Sequence, residues 1–227
     1  MPVLHRDRHS ELSPLTYGQI DEFQKKIAQS TQPYLLLSEV APVVTLGRRA
    51  KRESEVLDDA LLKSMNIPVV QTSRGGLATY HGPGQWVLFV VAPLKLLVGP
   101  KKGVREMTCK LLNVASRTCR QVGMGTTLGG GERLGLWTKK GKIASVGISI
   151  ESGWVQHGLS LNVNRTQKSF LGIRPCGLSE AVDFLGFEKD EQFEDIGDLL
   201  VKNALDEFFK GVKIFDECQE NQQVGLV

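Results

Sequence analysis

Residues 142–163 read KIASVGISI, then ESG, then WVQHGLSLNV. The runs 142–150 and 154–163 are both β-prone, and the turn-forming triplet Glu151-Ser152-Gly153 separates them. A short connection that contains glycine, between two runs of this kind, is typical of a β-hairpin. The stretch therefore predicts that part of the sheet is antiparallel.

Apolar runs on both sides of this hairpin predict the rest of the fold. Predicted strands cover residues 34–37, 43–46, 69–72, 86–91 and 212–215. Predicted helices cover residues 16–30, 54–65 (capped by Ser54), 102–122 and 193–209. The third helix is expected to bury Val104, Met107, Leu111, Val114 and Thr118. Residues 123–135 are rich in glycine and are predicted to form a mobile loop.

The order of these elements predicts the fold class. Strands outnumber helices, and the two are interspersed without a regular βαβ rhythm. We therefore predict an α+β fold, with a mostly antiparallel or mixed sheet and flanking helices in a single domain. No internal repeat is present, so one catalytic domain is expected over residues 1–227, with flexible ends at 1–12 and 216–227.

The composition is that of an ordinary globular protein. The 227 residues include 28 Lys and Arg against 25 Asp and Glu, for a net charge of +3, and 41% are hydrophobic. No run approaches the ~18 apolar residues of a membrane span, so no membrane partner is expected. The small positive charge does not by itself require nucleic acid as a partner, and none is expected.

The N-terminus and the cysteines bear on the compartment. Residues 1–12 mix Arg6 and Arg8 with the acidic Asp7 and Glu11, which is unlike a secretory signal or a transit peptide. Four cysteines without a C-x-x-C pair are too few for a disulfide framework. We therefore expect a cytoplasmic protein with free thiols.

A glycine-rich stretch precedes the predicted strand at 86–91. Residues 74–85 read RGGLATYHGPGQ, in which four glycines and a proline surround one histidine. Glycines let the backbone approach a ligand closely and present its N–H groups. Arg74 is suited to hold an anion or a carbonyl group, and His81 to donate a hydrogen bond. The alternative is a tight loop in which His81 caps a turn.

Two further side chains are candidates for catalysis. Lys142 opens the hairpin and is followed by small or apolar residues, so its amine can point into a cleft as a catalytic lysine requires. Cys176 lies between proline and glycine, where a thiolate can act as a nucleophile beside the N–H groups of Gly177 and Leu178. The alternatives are a solvated lysine and an inert, buried cysteine.

The remaining cysteines and His157 complete the set of candidates. His157 either faces the same pocket as His81 or satisfies backbone groups within the sheet. These two histidines and Cys176 lack the short spacing of metal ligands, so no metal is expected. Cys109, Cys119 and Cys218 are assigned no role.

Taken together, these segments resemble the lipoyl(octanoyl) transferase family, in the family's own order. Residues 74–85 resemble its RGGxxTxHGPGQ signature, and residues 135–147 resemble its GxW…KIAxxG strand. Residues 157–163 and 175–177 match HGxxLNV and PCG, and residues 36–47 resemble an upstream LLxE…PVxTLG segment. The resemblance covers about residues 34–178.

The resemblance implies the α+β fold of biotin and lipoate protein ligases. It also implies transfer of an octanoyl group from octanoyl-acyl carrier protein to a specific lysine of a lipoyl domain, through an acyl thioester on Cys176, as the first step of endogenous protein lipoylation. Lys142 would be the acid/base partner, and no cofactor is implied. The residues implied in substrate binding are Arg74, Gly75, Gly76, Thr79, Tyr80, His81, Gly82, Ala144, Ser145, Val146, Gly147, His157, Gly158 and Leu159.

The same resemblance implies the protein partners. The donor would be octanoyl-acyl carrier protein, and the acceptors would be lipoyl domains of 2-oxoacid dehydrogenase E2 subunits and the glycine cleavage H protein. Both kinds of partner are typically acidic. The basic cluster at 48–52 and the pair Lys139-Lys140 are suited to attract them, with a solvated basic face as the alternative.

The chain departs from the family pattern at three places. Glu39 is followed by Val40, where the family often has histidine. The loop at 129–131 is looser than usual, and residues 182–185 replace the expected Ser-Leu ending after Gly177. Neither Cys176 nor Lys142 is affected.

Three other functions remain open at this point. An ATP-dependent lipoate or biotin protein ligase would share the fold but would not need a nucleophilic cysteine. An amidotransferase that moves acyl groups between lipoyl proteins would need one. A binding module for lipoyl domains or nucleic acid would use the basic clusters without catalysis.

Overall fold

The computed structural model describes residues 3–6, 14–30, 32–173, 181–187 and 190–209. The strands are β1 (Val3–Arg6), β2 (Tyr34–Ser38), β3 (Val43–Leu46), β4 (Val69–Gln71), β5 (Ala78–His81), β6 (Gln85–Pro93), β7 (Thr127–Gly129), β8 (Gly135–Trp137), β9 (Lys142–Glu151) and β10 (Trp154–Asn162). The helices are α1 (Tyr17–Ala28), α2 (Arg52–Glu55), α3 (Asp59–Ser64), α4 (Leu94–Val98), α5 (Val104–Gln121) and α6 (Asp190–Phe208).

The strands form two sheets. Seven of them follow the order β1-β2-β6-β10-β9-β8-β7, in which only β1 and β2 pair in parallel. The smaller sheet has the order β4-β3-β5, with β3 parallel to β4 and antiparallel to β5. The predicted α+β class and the mixed, mostly antiparallel sheet are confirmed.

The hairpin is confirmed as the centre of the large sheet. Strands β9 and β10 pair from Trp154↔Glu151 to Leu161↔Ala144, so the connection falls at the predicted turn. Strand β10 then pairs with β6 on its other side. Since both neighbours of β10 are long strands, its backbone is enclosed and its residues are mostly buried.

Strand β6 separates two apolar layers. Trp86 and Leu88 face the main core, which α5 and α6 cover, whereas Val87 and Phe89 face the layer under α1. This alternation is the period of two that an extended strand imposes. The face under α1 is the one on which a cleft forms.

Two predicted helices match the structure closely. Helix α1 begins after Thr16, whose side chain accepts a hydrogen bond from the Gln19 N–H while the Gln19 side chain accepts one from the Thr16 N–H. Helix α5 buries Met107 and Leu111 as expected, but Val104 is 54% exposed. The placement of Val104 in the core was wrong, because the helix enters the core only from Met107 onward.

The prediction of one helix over 54–65 capped by Ser54 was wrong. Two short helices, α2 and α3, stand there, and Asp58 caps the second by accepting from the Leu61 N–H at 2.8 Å. Val56 is extended and pairs with Ile173, and the next two N–H groups donate to the Gly172 carbonyl. This pairing with a distant segment interrupts the helix.

Three further expectations concern the two ends of the chain and the glycine-rich segment at 123–135. Within residues 1–12, the structure describes β1, which pairs with β2. The glycine-rich segment was wrongly predicted as a loop throughout, because β7 pairs with β8. The strand predicted at 212–215 and the tail at 216–227 lie outside the described residues.

Among the described residues, no helix is both long and apolar enough to cross a membrane. Within the same ranges, no group of three or more His, Cys, Asp and Glu side chains is arranged to hold a metal ion.

Candidate active site

A cleft opens on the α1 face of the sheet and contains about 680 Å³ of space, part of it continuous with solvent. The predicted catalytic residue Lys142 lines it, together with the predicted substrate-binding residues Arg74, Gly76, Thr79, His81, Ser145, Val146, Gly147, His157, Gly158 and Leu159. Its other lining residues are Tyr17, Arg49, Leu77, Val87, Phe89, Gly131, Glu132, Leu134 and Ser160. The structure therefore brings together segments that lie far apart in the sequence.

Strand alternation separates the residues of the glycine-rich stretch. Thr79 and His81 line the cleft, whereas Tyr80 points into a separate core cluster and lies 5.5 Å from the Phe170 ring. Gly82 packs against the Tyr80 phenol, where a Cβ atom would clash. These two residues do not form part of the cleft wall.

The same rule removes Ala144 from the cleft wall. Ala144 is 1% exposed within the main core, while Ser145, on the opposite face of β9, lines the cleft. Val146, two residues after Ala144, packs against the same core and also borders the cleft. Gly75 acts through its backbone instead, because its N–H donates to the Ile148 carbonyl at 2.9 Å and attaches the loop to β9.

Arg74 is a fixed positive charge in the cleft wall. Its Nε and Nη2 atoms donate to the Thr45 hydroxyl at 3.1 and 2.8 Å, and Nη2 also donates to the Thr45 carbonyl at 2.7 Å. Nη1 donates to the Gly75 carbonyl at 3.0 Å. The guanidinium therefore fastens the glycine-rich loop to β3 and holds its charge at one place.

Three stacked rings form one side of the cleft. The Tyr17 ring lies 5.8 Å from that of His81 and 6.2 Å from that of His157, nearly parallel to both. Burial, together with the nearby Arg74 charge, lowers the pKa of His81 to about 3 and that of His157 to about 4. Burial also raises the pKa of the Tyr17 phenol. All three rings are therefore uncharged near neutral pH.

His157 has an unusual backbone for a residue in a strand. Its φ of 62° lies in the left-handed region, a conformation that costs on the order of 1 kcal/mol or more outside glycine. Its N–H donates to Gln24 Oε1 at 2.6 Å, and its ring nitrogens lie 3.0 Å from the Tyr17 and Ser73 hydroxyl oxygens. Contacts from α1 and from the segment before Arg74 therefore hold this conformation.

Lys142 lies at the start of β9 and is 6% exposed, so it is not a solvated lysine. Its Nζ atom is 5.6 Å from the centre of the Trp137 ring. Gly135 makes room for the side chain, since a Cβ atom there would overlap the Lys142 Cε atom. The amine is thus confined beside the cleft.

The segment that follows residues 174–180 is attached to Lys142. The Lys142 N–H donates to the Ala181 carbonyl, and the Asp183 N–H donates to the Lys142 carbonyl, each at 2.9 Å. Ile173, before the same stretch, pairs with Val56. Cys176 itself lies outside the described residues.

Gln85 and Asn162 connect these parts and were not assigned by the sequence reasoning. They face each other across β6 and β10, and Gln85 Nε2 donates to Asn162 Oδ1 at 3.0 Å. Both residues belong to quoted motifs, as the last letter of 74–85 and the asparagine of LNV, which was an available signal. Tyr17 had no such signal, because its contact with His157 spans 140 positions in the chain.

The structure also places residues that depart from the family pattern and residues of the two basic clusters. Glu39 accepts a hydrogen bond from the Gly84 N–H at 2.8 Å, and Val40 is fully buried under α1. Arg49 lines the cleft, while Lys139 and Lys140 are exposed in the turn before Lys142.

Comparisons with known proteins indicate the same family as the sequence motifs. Residues 20–203 match the family model of the lipoyl protein ligase A/B catalytic domain. An octanoyltransferase of Legionella pneumophila (strain Paris) is 31% identical over 85% of this chain and 92% of its own length. An octanoyltransferase of Koribacter versatilis is 36% identical over 71% of this chain, and the match spans 63% of that relative's length.

A solved structure supports the fold independently. A bi-partite lipoate protein ligase of Thermoplasma acidophilum superposes with a TM-score of 0.70 at 15% identity, over 95% of this chain and 86% of that one. At this identity the likeness concerns the fold alone. The family model and the curated relatives go further and confirm the resemblance: the chain belongs to the octanoyltransferases, a family of acyltransferases with the lipoyl protein ligase A/B catalytic domain.

Proposed function

We propose that the protein transfers an octanoyl group from octanoyl-acyl carrier protein to a lysine of a lipoyl domain, through an acyl thioester on Cys176 with Lys142 as acid and base. The observation that carries this proposal is the position of Lys142, buried beside the cleft and bonded through its backbone to Ala181 and Asp183. Cys176 precedes Ala181 by five positions, so an extended chain between their Cα atoms spans at most about 18 Å.

The first half-reaction forms the acyl-enzyme. The Lys142 amine takes the proton of the Cys176 thiol, and the thiolate attacks the carbonyl carbon of the octanoyl thioester. The bond from that carbon to the carrier's sulfur breaks, and the Lys142 ammonium protonates the leaving thiolate. Candidate donors to the oxyanion are the backbone N–H groups of Gly147, Ile148 and Gly177.

The second half-reaction forms the amide. The amine of the acceptor lysine attacks the acyl-Cys176 carbonyl, its C–S bond breaks, and Lys142 passes the amine's proton to the Cys176 thiolate. The thioester supplies the driving force, so the sequence of steps needs no ATP and no cofactor.

The lining of the cleft supports an acyl substrate. Val87 and Phe89 give it an apolar wall, and each methylene group buried there contributes about 0.8 kcal/mol. The two histidines are neutral, so they place no additional charge beside the chain. Arg74 supplies a fixed positive charge that favours an oxyanion.

The surface near the cleft supports acidic protein partners. Arg49 lines the cleft, and the exposed Lys139 and Lys140 lie within three residues of Lys142 in the chain. Positive charge at this position raises the rate of encounter with acidic carrier and lipoyl domains. The proposed acceptors are lipoyl domains of 2-oxoacid dehydrogenase E2 subunits and the glycine cleavage H protein.

Intact-mass spectrometry after mixing with octanoyl-acyl carrier protein, without ATP, tests the proposal. We expect an octanoyl adduct on the wild-type protein and on Cys109→Ala, whose cysteine is exposed on α5, but none on Cys176→Ala. Lys142→Ala should form the adduct far more slowly than Lys202→Ala, a matched change of an exposed lysine on α6. An adduct that persists in Cys176→Ala contradicts the thioester.

Addition of a lipoyl domain tests the second half-reaction and the alternatives. The octanoyl mass should move from the enzyme to the acceptor domain without ATP. Transfer that occurs only with ATP would indicate a ligase. Transfer from an octanoylated lipoyl protein but not from octanoyl-acyl carrier protein would indicate an amidotransferase.

A further inference from the structure

Two buried amide side chains lie between His81 and Lys142. Gln85 is 1% exposed and Asn162 is 4% exposed. His81 Nδ1 lies 3.3 Å from Gln85 Oε1, and Gln85 Nε2 donates to Asn162 Oδ1 at 3.0 Å. Asn162 Nδ2 donates to the Lys142 carbonyl at 3.3 Å and to the Asp183 carbonyl at 3.1 Å. A continuous hydrogen-bonded chain therefore joins the two residues.

Backbone carbonyls fix the direction of this chain at both ends. A carbonyl oxygen only accepts, so the atom of Asn162 that faces Lys142 and Asp183 must be its NH₂ group. Its oxygen then faces Gln85, whose NH₂ group donates to it and to the Tyr80 carbonyl at 3.3 Å. Gln85 is left with only its oxygen toward His81.

This direction determines the state of the His81 ring. The neutral imidazole carries one proton, and the Gln85 oxygen requires that proton on Nδ1. Nε2, on the far side of the ring from Gln85, is then unprotonated and can only accept a hydrogen bond. Any group that bonds to Nε2 in the cleft must be a donor.

The other end of the chain sets the position of Lys142. Asn162 Nδ2 joins the carbonyl of Lys142 to that of Asp183, and the Asp183 N–H also donates to the Lys142 carbonyl. The start of β9 and the segment that returns after Cys176 are thereby held at one distance. The Leu185 N–H also donates to the Asn162 carbonyl at 3.2 Å, which extends the attachment.

We propose that Gln85 and Asn162 are positioning residues for octanoyl transfer, which keep His81 in its Nδ1-protonated form and hold Lys142 against the segment that follows Cys176. The role of Lys142 in this inference rests on the proposed function. The state of His81 does not rest on it.

Nitrogen-15 NMR of the histidines tests the first part without any substrate. In the wild-type protein, His81 should be neutral with its proton on Nδ1. Asn162→Ala removes no atom that touches His81, but it removes the closer of the two acceptors that orient the Gln85 NH₂ group and leaves only the Tyr80 carbonyl. We therefore expect a mixture of His81 tautomers in Asn162→Ala and in the near-isosteric Gln85→Met. An unchanged Nδ1-protonated signal in both variants overturns this part.

Octanoyl-transfer kinetics test the second part against a matched control. Asn203 is also a 4% exposed asparagine whose Nδ2 makes two donations, to Thr118 Oγ1 and Gln121 Oε1, but it lies on α6. Asn162→Ala and Gln85→Met should lower kcat about tenfold or more with little change in KM for the donor. Asn203→Ala should keep kcat within about twofold.

The outcomes separate the two proposals. A wild-type protein that transfers no octanoyl group contradicts the proposed function, while the NMR result still decides the role of Gln85. A wild-type protein that transfers it, together with Asn162→Ala at the kcat of Asn203→Ala, overturns the positioning role. Gln85→Met gives the same decision if Asn162→Ala does not fold.

Discussion

Replacement of Gly135 by alanine should displace the Lys142 side chain without any change to its chemistry. Gly135 opens β8 beside the start of β9, and its φ is 150°. An added Cβ atom would overlap the Lys142 Cε atom and would lie 3.1 Å from Nζ and 2.8 Å from the Ala144 carbonyl oxygen. The backbone oxygen cannot retreat cheaply, so the lysine must move.

The structure gives the size of this displacement and its consequence. Carbon atoms in van der Waals contact are about 3.5–4.0 Å apart, so the Lys142 Cε atom must retreat by roughly 1 Å or more. A misplacement of about 1 Å in a reacting group costs on the order of 10²-fold in rate. Overpacking at a buried position should also lower the free energy of unfolding by roughly 1–3 kcal/mol.

The rate of octanoyl-adduct formation, followed by rapid-quench mass spectrometry, measures the effect. Gly125→Ala is the matched control, because Gly125 is an exposed residue of the same connection and its added Cβ atom meets nothing within 4 Å. Thermal unfolding of both variants separates a displaced lysine from a loss of fold. A folded Gly135→Ala protein with the wild-type rate would refute the reasoning that Lys142 must stay where it lies.

Three further predictions follow from other residues of the described chain. Thr79 is 6% exposed, and its hydroxyl has no hydrogen-bond partner among the described residues. Thr79→Val should therefore raise the free energy of unfolding, measured by urea unfolding, by about 1 kcal/mol. It should also lower kcat/KM, measured by transfer kinetics, about tenfold. The pKa values of about 3 for His81 and about 4 for His157 lie below the ordinary 6.5, so the unfolded chain binds more protons than the folded chain below about pH 6.5. The free energy of unfolding should therefore fall as the pH decreases, by up to about 2.7 kcal/mol per pH unit near pH 5. In His157→Gln, urea unfolding at several pH values should show about half of this pH dependence. A pH dependence equal to that of the wild-type protein would contradict the prediction. Burial raises the pKa of the Cys119 thiol to about 12, so iodoacetamide at pH 7.5 should alkylate the exposed Cys109 but not Cys119 in the native protein, as peptide mass mapping would report.

Local patterns in the sequence were sufficient for the elements whose causes are local. The hairpin of β9 and β10 follows from two β-prone runs around a glycine-containing turn, although its register differs by one residue from a turn at 151–153, because Glu151 pairs with Trp154 and leaves only Ser152-Gly153 in the connection. The start of α1 follows from Thr16 and Gln19, which cap the helix within one turn. In each case the interacting residues are close in the chain.

Distant contacts account for the errors. Nothing near Val56 indicates that Gly172 and Ile173 pair with it and end a helix there. Likewise, the sequence near Tyr17 does not indicate a ring that stacks between two histidines from different strands. Such contacts depend on the assembled sheet and are not written in local periodicity.

The candidate site was only partly predictable for a related reason. The glycine-rich motif identified the right stretch, but a motif does not state which residues face the ligand. Because β5 alternates, Thr79 and His81 line the cleft while Tyr80 joins a core cluster. A reading by alternation could have divided them, whereas the attachment of Ala181 to Lys142 required the structure.

The backbone of the hairpin explains why glycine and a strained histidine adjoin each other in the cleft wall. Gly158 pairs with Gly147 in β9 and with Phe89 in β6, and an added Cβ atom on Gly158 would clash with the Leu88 carbonyl. The strands thus approach more closely than side chains allow. His157, in its left-handed conformation, directly precedes this point, and its ring reaches Tyr17. Because consecutive residues of β10 line the cleft, its wall is made by backbone as well as by side chains. A glycine-containing sheet is therefore part of the site itself, and the loop at Arg74 lies against it through the Gly75 N–H, which donates to the Ile148 carbonyl.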